Sequence, residues 1–374
     1  MKEGWKYKKI KEVGVVIGGT TPSTTNPAFW NGDICWISPA ELKGERYLYD
    51  SVKKITKEAV TAKSLKELPI GTVILSTRAP IGKLAINKVP MYCNQGFKCV
   101  VCGNELYNEY LYWWLYGKKE YLNSLGTGAT FPEISKSVVE NIEIPVPPLP
   151  EQQRIVEYLE AQFAKIDALK ANAAQQLQAA KDLFQSALKD LMTPKEGWEE
   201  KKLGEVVVKI FAGGDLPKNN YSKERTDKYN IPIYANAAEN DGLYGYTNIP
   251  IVETPSITVA ARGSGTGLVL KRNTPFFPIV RLIVVIPKKE LEIDYLFFAL
   301  KGLKIKSNGS AIPQLTVPMI KDYKISFPTN SEQKKIADTL DDLSNKIKAL
   351  QSNYEQTITL CNDLKQALLR ETFG

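Results

Sequence analysis

Polar and apolar residues follow a helical period along two long stretches of the chain. Residues 151 to 192, EQQRIVEYLEAQFAKIDALKANAAQQLQAAKDLFQSALKDLM, contain neither Gly nor Pro; residues 332 to 373, EQKKIADTLDDLSNKIKALQSNYEQTITLCNDLKQALLRETF, match them in length and in their opening. In the second stretch Leu340, Leu343, Ile347, Leu350, Tyr354, Thr357, Cys361, Leu364 and Leu368 fall alternately three and four residues apart, a heptad a/d seam. A shift of 181 residues lands on Leu159, Gln162, Ile166, Leu169, Ala173, Gln176, Ala180, Leu183 and Ala187, a weaker seam with small side chains where its partner has large ones. The pattern predicts two long helices that pack on each other. Ile155, Phe163, Phe184 and Ile336 fall outside the seam and are open between binding a partner and packing against a globular part.

Between these stretches the period changes to that of strands. Lys2-Glu3-Gly4-Trp5 and Lys195-Glu196-Gly197-Trp198 open two matching segments, each leading to a Val-rich strand and a Gly pair, Gly18-Gly19 or Gly213-Gly214. Two strand-turn-strand signals follow, Gly71 to Ile86 and Ser256 to Leu270, each with an apolar strand ending at an Arg, Arg78 or Arg262. The segments close alike, GATFPEIS (128 to 135) against GSAIPQLT (309 to 316). Each is expected to be mainly β, with helices at Glu109 to Leu122 and Ile293 to Leu303. The division is 1–150, 151–192, 193–330 and 331–374. The Pro-rich run Pro145 to Pro150 separates sheet from helix.

Connection lengths constrain the arrangement. A helix of about 42 residues is roughly 60 Å long, whereas the few residues between Met192 and Trp198 reach about 20 Å at most. The second segment must sit at the far end of the first helix, and the second helix must run back antiparallel. The expected fold class is α+β: two β-rich globular domains joined by two long antiparallel coiled-coil helices, an internal repeat with a pseudo-twofold axis and neighbouring termini.

Composition narrows the function. The 374-residue chain carries a net charge of +8, with +5 on each globular segment and −1 on each long helix. A polyanion would therefore meet the globular parts, although such a charge alone is a weak sign. No apolar run approaches a membrane span and no signal peptide is visible, so a cytoplasmic protein is expected. Five cysteines, an odd number, argue against a disulfide framework. Cys99 and Cys102 form a CxxC, but the chain has no His, and buried strand thiols are preferred over a zinc site.

The fragments that look catalytic do not combine. Asn26-Pro27-Ala28-Phe29 comes within one residue of a base-holding Asn-Pro-Pro-Phe, yet no Gly-rich strand-to-helix turn for S-adenosylmethionine accompanies it, and it reads as a surface turn. Gly263 to Gly267 lacks the Lys-Ser/Thr ending of a phosphate loop and reads as a hairpin turn. Asp322-Tyr323-Lys324 is a lone Asp-x-Lys triplet. Without His, acid–base chemistry near neutral pH needs a tuned carboxylate or Lys, and no such constellation is visible.

Taken together, the paired segments, the run Ile144 to Gln153 (IPVPPLPEQQ), its echo at Pro328 to Gln333, and the Arg-x-x-x-Gly turn at Arg78 and Gly82 closely resemble the DNA-specificity subunit of type I restriction-modification systems. The resemblance spans the whole chain as target-recognition domain, spacer helix, target-recognition domain, spacer helix. The second junction departs from it, with Thr329-Asn330-Ser331 in place of Pro-Leu-Pro. It implies a non-catalytic subunit in which each domain reads half of an asymmetric bipartite double-stranded DNA target and the helices fix the unread spacer. It also implies two docked methyltransferase subunits and motor-nuclease restriction subunits. S-adenosylmethionine, ATP and Mg²⁺ would belong to those partners, with no metal or cofactor in this chain. A protein-binding coiled-coil scaffold remains the alternative, and a stand-alone methyltransferase or nuclease is a further one.

Residue chemistry suggests the readers: Arg for guanine, Asn or Gln for adenine, and Ser, Thr or Lys for phosphates. In the first domain the candidates are Thr77, Arg78, Lys83, Asn94, Gln95, Thr127 and Thr130. In the second they are Arg262, Ser264, Thr266, Lys271, Asn308, Ser310 and Gln314. Arg78 and Arg262 form the best pair, because both end an apolar strand at the same place in the repeat.

Overall fold

The computed structural model describes residues 5–78, 80–128, 132–262, 265–302 and 315–374. Two compact units divide the chain, Met1–Asn172 with Gln356–Gly374, and Ala173–Glu355. Each unit holds one globular head together with the adjoining portions of the two long helices, so the compact division cuts through the helices.

In the first unit a five-stranded sheet runs in the order Gly14–Gly18, Phe97–Cys102, Val73–Ser76, Leu84–Asn87, Tyr47–Leu48. Its central strand, VILS, is buried throughout, as expected of a strand covered on both faces. The helix Asn108–Gly117 supplies Tyr110, Leu111, Trp114 and Leu115 to a core shared with Val73, Leu75 and Ile86. A three-stranded sheet of Lys53–Ile55, Trp30–Ile37 and Tyr92–Cys93, and a ribbon of Lys6–Lys9 with Glu143–Val146, complete the head. Pro145 thus lies in a strand, tolerated because the ribbon has only two strands.

The second unit repeats the plan. Val207–Ala212, Ile283–Pro287, Ser256–Val259 and Val269–Arg272 form its main sheet, and Glu199–Lys202 pairs with Lys324–Phe327. The helix Ile293–Gly302 packs Tyr295, Leu296 and Phe298 against Ile257, Val259 and Val285. A buried tyrosine pins each ribbon: Tyr110 donates to the Pro145 carbonyl at 2.9 Å and Tyr295 to the Ser326 carbonyl at 2.6 Å. A second four-stranded sheet holds Tyr221–Ser222, Leu243–Thr247, Ile231–Tyr234 and Phe277–Pro278.

The stretch expected as a single helix from Glu109 to Leu122 is two, Asn108–Gly117 and Lys119–Ser124. They part next to Gly117, where a Cβ would come within 3.1 Å of Leu369 on the C-terminal helix.

The long helices are Leu149–Met192 and Asn330–Phe373, 44 residues each. Within the first unit they run antiparallel, since Asp167 pairs with Lys365 at 2.6 Å and Lys170 donates to Asn362 at 2.7 Å. The C-terminal helix ends in the first head, with the Phe373 ring on Tyr110 and the Gly374 carbonyl accepting from Lys118.

Half of the first helix's predicted seam is displaced by one residue. Leu159 and Ile166 are buried, but Leu169 and Leu183 are 58% and 62% exposed, and the inner face follows Phe163, Leu177, Phe184 and Leu188. In the second helix Leu340 and Cys361 are buried and Leu343, Ile347, Tyr354 and Leu368 half-buried, whereas Leu350 and Leu364 are exposed. A straight helix drifts about 20° per heptad against a strict seven-residue repeat, and each inner face must also meet a head. Ile155 and Phe163 belong to the first core and Ile336 to the second, while Phe184 packs on Phe298. Their role is packing.

Each helix begins on a buried glutamine. Gln152 accepts from the Tyr107 amide at 2.8 Å and donates to the carbonyls of Glu105 and Pro147 at 2.8 and 2.7 Å. Gln333 accepts from the Glu292 amide at 2.8 Å and donates to Glu290 and Pro328 at 3.0 and 2.9 Å. The divergent residues at 329–331 therefore leave the second junction's lock intact.

Candidate nucleic-acid interface

Strand register decides which residues can share a surface. In the first head Gly18 lies opposite Lys98 and Ser76 opposite Phe97, so the segments after Gly18 and Ser76 and the turn before Phe97 emerge at one end of the sheet. In the second, Ala212 and Val259 both lie opposite Ile283, which brings the segments after Ala212 and Val259 to the turn before Ile283. The hairpin turns reach the same ends, each closed by a left-handed glycine: Gly82 (φ 87°) donates to the Ser76 carbonyl, and Gly267 (φ 89°) to that of Ala260.

A common hydrogen bond sets the two arginines. The Ile134 amide donates to the Thr77 carbonyl at 2.9 Å, and the Leu315 amide to the Ala261 carbonyl at 2.8 Å. The next residue in each case is Arg78 or Arg262, and both are exposed. The same frame thus presents one guanidinium at the same sheet end of each head.

Around Arg78 the first head builds a charged network. Arg78 Nε donates to Glu133 Oε2 at 2.8 Å, and Lys98 Nζ lies 3.3 Å from Glu133 Oε1. Lys98 also donates to the Gln95 carbonyl at 3.2 Å, and Thr21 Oγ1 bonds the Gln95 side chain. Burial alone would push the Glu133 carboxyl up. Its hydrogen bonds and charge pairing with Arg78 and Lys98 outweigh that and hold it below the usual carboxylate range. Thr127 pairs with Glu133 through both main chains, and the Asn94 side chain accepts from the Gly96 amide at 2.9 Å, shaping the turn that carries exposed Gln95. Arg78, Asn94, Gln95 and Thr127 therefore converge. Lys98 and Thr21, absent from the sequence candidates, join them; the only sequence sign was the Gly18-Gly19 turn beside Thr21.

Three candidates are spent on the fold. Thr77 is fully buried, and both its amide and its hydroxyl donate to the Gly96 carbonyl. Lys83 clamps the carbonyls of Pro39 and Leu42 at 3.2 and 2.8 Å. Lys271 pairs with Asp294 on the neighbouring helix. In each case an internal partner lay beyond the reach of local sequence.

In the second head Arg262 stands at the sheet end and Thr266 is half-buried in the hairpin turn. The Asn236 amide, missed from sequence, accepts from the Ala261 amide at 2.8 Å and donates to the Val280 carbonyl, tying the arginine strand to the turn before Ile283. Exposed Arg281 occupies that turn. Thr130, Ser264, Asn308, Ser310 and Gln314 lie outside the described residues.

The catalytic-looking fragments have structural work. Asn26 caps the short helical turn Pro27–Phe29. Asp322 pairs with Lys202 at 2.9 Å, and Lys324 with Glu200 at 2.6 Å, across the second ribbon. Cys99 lies 3.7 Å from Cys93 in the interior, and burial pushes its thiol well above the usual range. A cleft of 1110 Å³ in the first head carries Lys43, Lys83, Lys118, Lys119 and Arg370 against Glu120 and Asp363. Among the described residues no group of His, Cys, Asp and Glu could hold a metal ion, and no helix is long and apolar enough to cross a membrane.

The family model for a type I restriction modification DNA specificity domain matches twice, over residues 2–179 and 195–360. The MjaIX specificity subunit of Methanocaldococcus jannaschii is 30% identical over 98% of this chain and 91% of its own. The EcoprrI specificity subunit of Escherichia coli is 27% identical over 91% and 89%. Among solved structures, a chain from a study of complex assembly and conformational transition of the type I R-M system aligns with a TM-score of 0.82 at 22% identity, covering 100% of this chain and 98% of the other. The HsdS subunit of Thermoanaerobacter tengcongensis aligns at 0.67 and 22% identity, over 100% and 97%.

Proposed function

Because the chain belongs to the type I restriction-modification DNA-specificity family and so serves sequence-specific DNA recognition, we propose that its two heads read different halves of one bipartite duplex target. Each would do so through the sheet end that carries Arg78 or Arg262. The observation behind this reading is the shared frame: equivalent hydrogen bonds, Ile134 to Thr77 and Leu315 to Ala261, place an exposed arginine at the same sheet end in both heads. The surroundings differ, since the positions of Gln95 and Lys98 in the first head are taken by Val280 and Ile283 in the second. Equivalent frames with unlike side chains suit unlike half-sites.

The chemistry required is recognition. An arginine offers two parallel donors to the O6 and N7 acceptors of guanine. In the first head Glu133 holds the Nε edge of Arg78, which orients the guanidinium and lowers the entropy lost on docking. The +5 on each head favours approach to a polyanion and makes binding salt-dependent. Methyl transfer and cleavage fall to partners, two methyltransferase subunits and the motor-nuclease subunits, which bring S-adenosylmethionine, ATP and Mg²⁺. This chain carries out no bond-making of its own. The long helices set the number of unread base pairs.

The test is methylation-site mapping in cells that express the chain with its methyltransferase. Arg262→Ala should weaken specific binding by about 1 to 3 kcal/mol and relax one half-site, and Arg78→Ala should relax the other. Equal losses on unrelated DNA would demote either arginine to a phosphate contact. Absence of a bipartite methylated site would overturn the reading.

A further inference from the structure

The turn between Phe277–Pro278 and Ile283–Pro287 violates the usual residue preferences. Val280 and Arg281 both have left-handed backbones, φ 53° and 61°, and the Leu282 amide donates to the Ile279 carbonyl at 3.1 Å. Two left-handed central residues closed by that bond are the signature of a type I′ turn, where Asn-Gly or Asp-Gly belongs. A β-branched residue at positive φ is a genuine outlier.

The surrounding backbone enforces this conformation. Val280 N donates to the Gly214 carbonyl at 2.8 Å and Arg281 N to that of Gly213 at 3.0 Å, while Asn236 holds the Val280 carbonyl from the other side. Gly213 makes the close approach feasible, since a Cβ there would lie 2.6 Å from the Pro278 backbone. The two side chains, however, give the fold little in return. Val280 is 57% exposed, Arg281 is exposed, and among the described residues Arg281 forms no ion pair. The first head has Asn94, Gln95 and Gly96 at the equivalent place, and Gln95 is not left-handed.

We propose that Val280 and Arg281 are base-reading residues of the second head, with Arg281 directed to a guanine edge and Val280 packed on a thymine methyl group. The inference rests on the DNA-reading role of that sheet end. Its reasoning is that strained residues held rigidly and turned outward serve a partner, and that strain concentrates at such functional positions. Asn236 couples the turn to Arg262, so the two arginines are presented together as one surface. Side chains of these two types recognise the guanine O6/N7 pair and the thymine methyl of the major groove.

The experiment uses the full chain co-expressed with its methyltransferase subunits, with the target first mapped for the parent. Val280→Asn with Arg281→Gly supplies the residues the turn prefers, so the melting temperature should rise. Discrimination within the second half-site should nevertheless fall, by roughly 5- to 150-fold per lost contact, with the first half-site unchanged. Arg281→Lys keeps the charge but loses the planar fork, so it should retain binding to unrelated duplex while its guanine preference weakens. Replacing thymine by uracil in the second half-site should weaken the parent and leave Val280→Gly indifferent. Unchanged discrimination in the double variant, or equal losses on all sequences, would overturn the proposal while leaving the two-head reading in place. A parent with no bipartite target would remove both.

Discussion

Replacing Gln152 by Leu tests what holds each long helix to its head. The side chain is fully buried and all its polar capacity is directed inward, to the Tyr107 amide and to the carbonyls of Glu105 and Pro147. Leucine nearly preserves the volume, so the perturbation is polar. It strands the part-buried Tyr107 amide, at about 1 to 3 kcal/mol, and two carbonyls that each lose a net bond of about 1 kcal/mol. The sum is about 3 to 5 kcal/mol, a large part of the roughly 5 to 15 kcal/mol that holds an ordinary domain. For a unit of this size it amounts to a melting shift on the order of 10 °C. Amide exchange resolves the heads: Tyr107 and its neighbours should lose protection in Gln152→Leu while Glu292 keeps it, and Gln333→Leu should reverse the pattern. A change under about 1 kcal/mol, or equal loosening of both heads, would refute the lock.

Further outcomes follow from the same structure. Phe163→Ala should cost about 3 to 5 kcal/mol because the ring is 5% exposed in the first core, whereas Leu169→Ser should stay within about 0.5 kcal/mol; chemical denaturation of the two variants decides. Arg46 lies between Glu109 and Glu160 and over the rings of Tyr112 and Trp113, so Arg46→Met should destabilise the first head by about 3 kcal/mol, as read by its melting. Glu133 has its folded carboxyl pKa depressed, so its tie to Arg78 contributes fully above the unfolded value and is lost only as pH falls through the lower folded one. Discrimination at the first half-site should therefore be flat from about pH 5 to 8, and a midpoint near 6 in binding titrations would contradict the pairing.

The repeat was legible because it lies in the residues that fold. Leu340 and Ile166 face inward as their spacing demands, and Arg78 and Arg262 fall at matching ends of matching strands. The seam failed at Leu169 and Leu364 because a heptad template assumes a supercoil, whereas these helices also answer to the heads, which claim Phe163 and Leu369. Three site candidates have internal partners that the sequence hid for a different reason. Thr77, Lys83 and Lys271 have the right chemistry at the right end of the chain segment, but their partners, Gly96, Pro39 with Leu42, and Asp294, are remote in sequence. Val280 and Arg281 carried no turn signal at all, since their composition argues against the conformation they adopt.

These failures share a cause that bears on how such a protein changes target. The frame of each proposed reading surface is backbone: Ile134 to Thr77, Leu315 to Ala261, and the glycine-closed hairpins at Gly82 and Gly267. Main-chain bonds constrain few side chains, so the positions at the sheet ends are free to differ, and they do, Gln95 against Val280 and Lys98 against Ile283. The two halves agree in the frame and diverge in the side chains that the frame presents. The mismatched positions are then the ones to exchange. Val280→Gln with Arg281→Gly transplants the first head's turn onto the second, where Gly213, Gly214 and Asn236 still hold the backbone. Expression with the methyltransferase should give a methylated site altered only in the second half. An unchanged site would mean that specificity resides elsewhere than at these sheet ends.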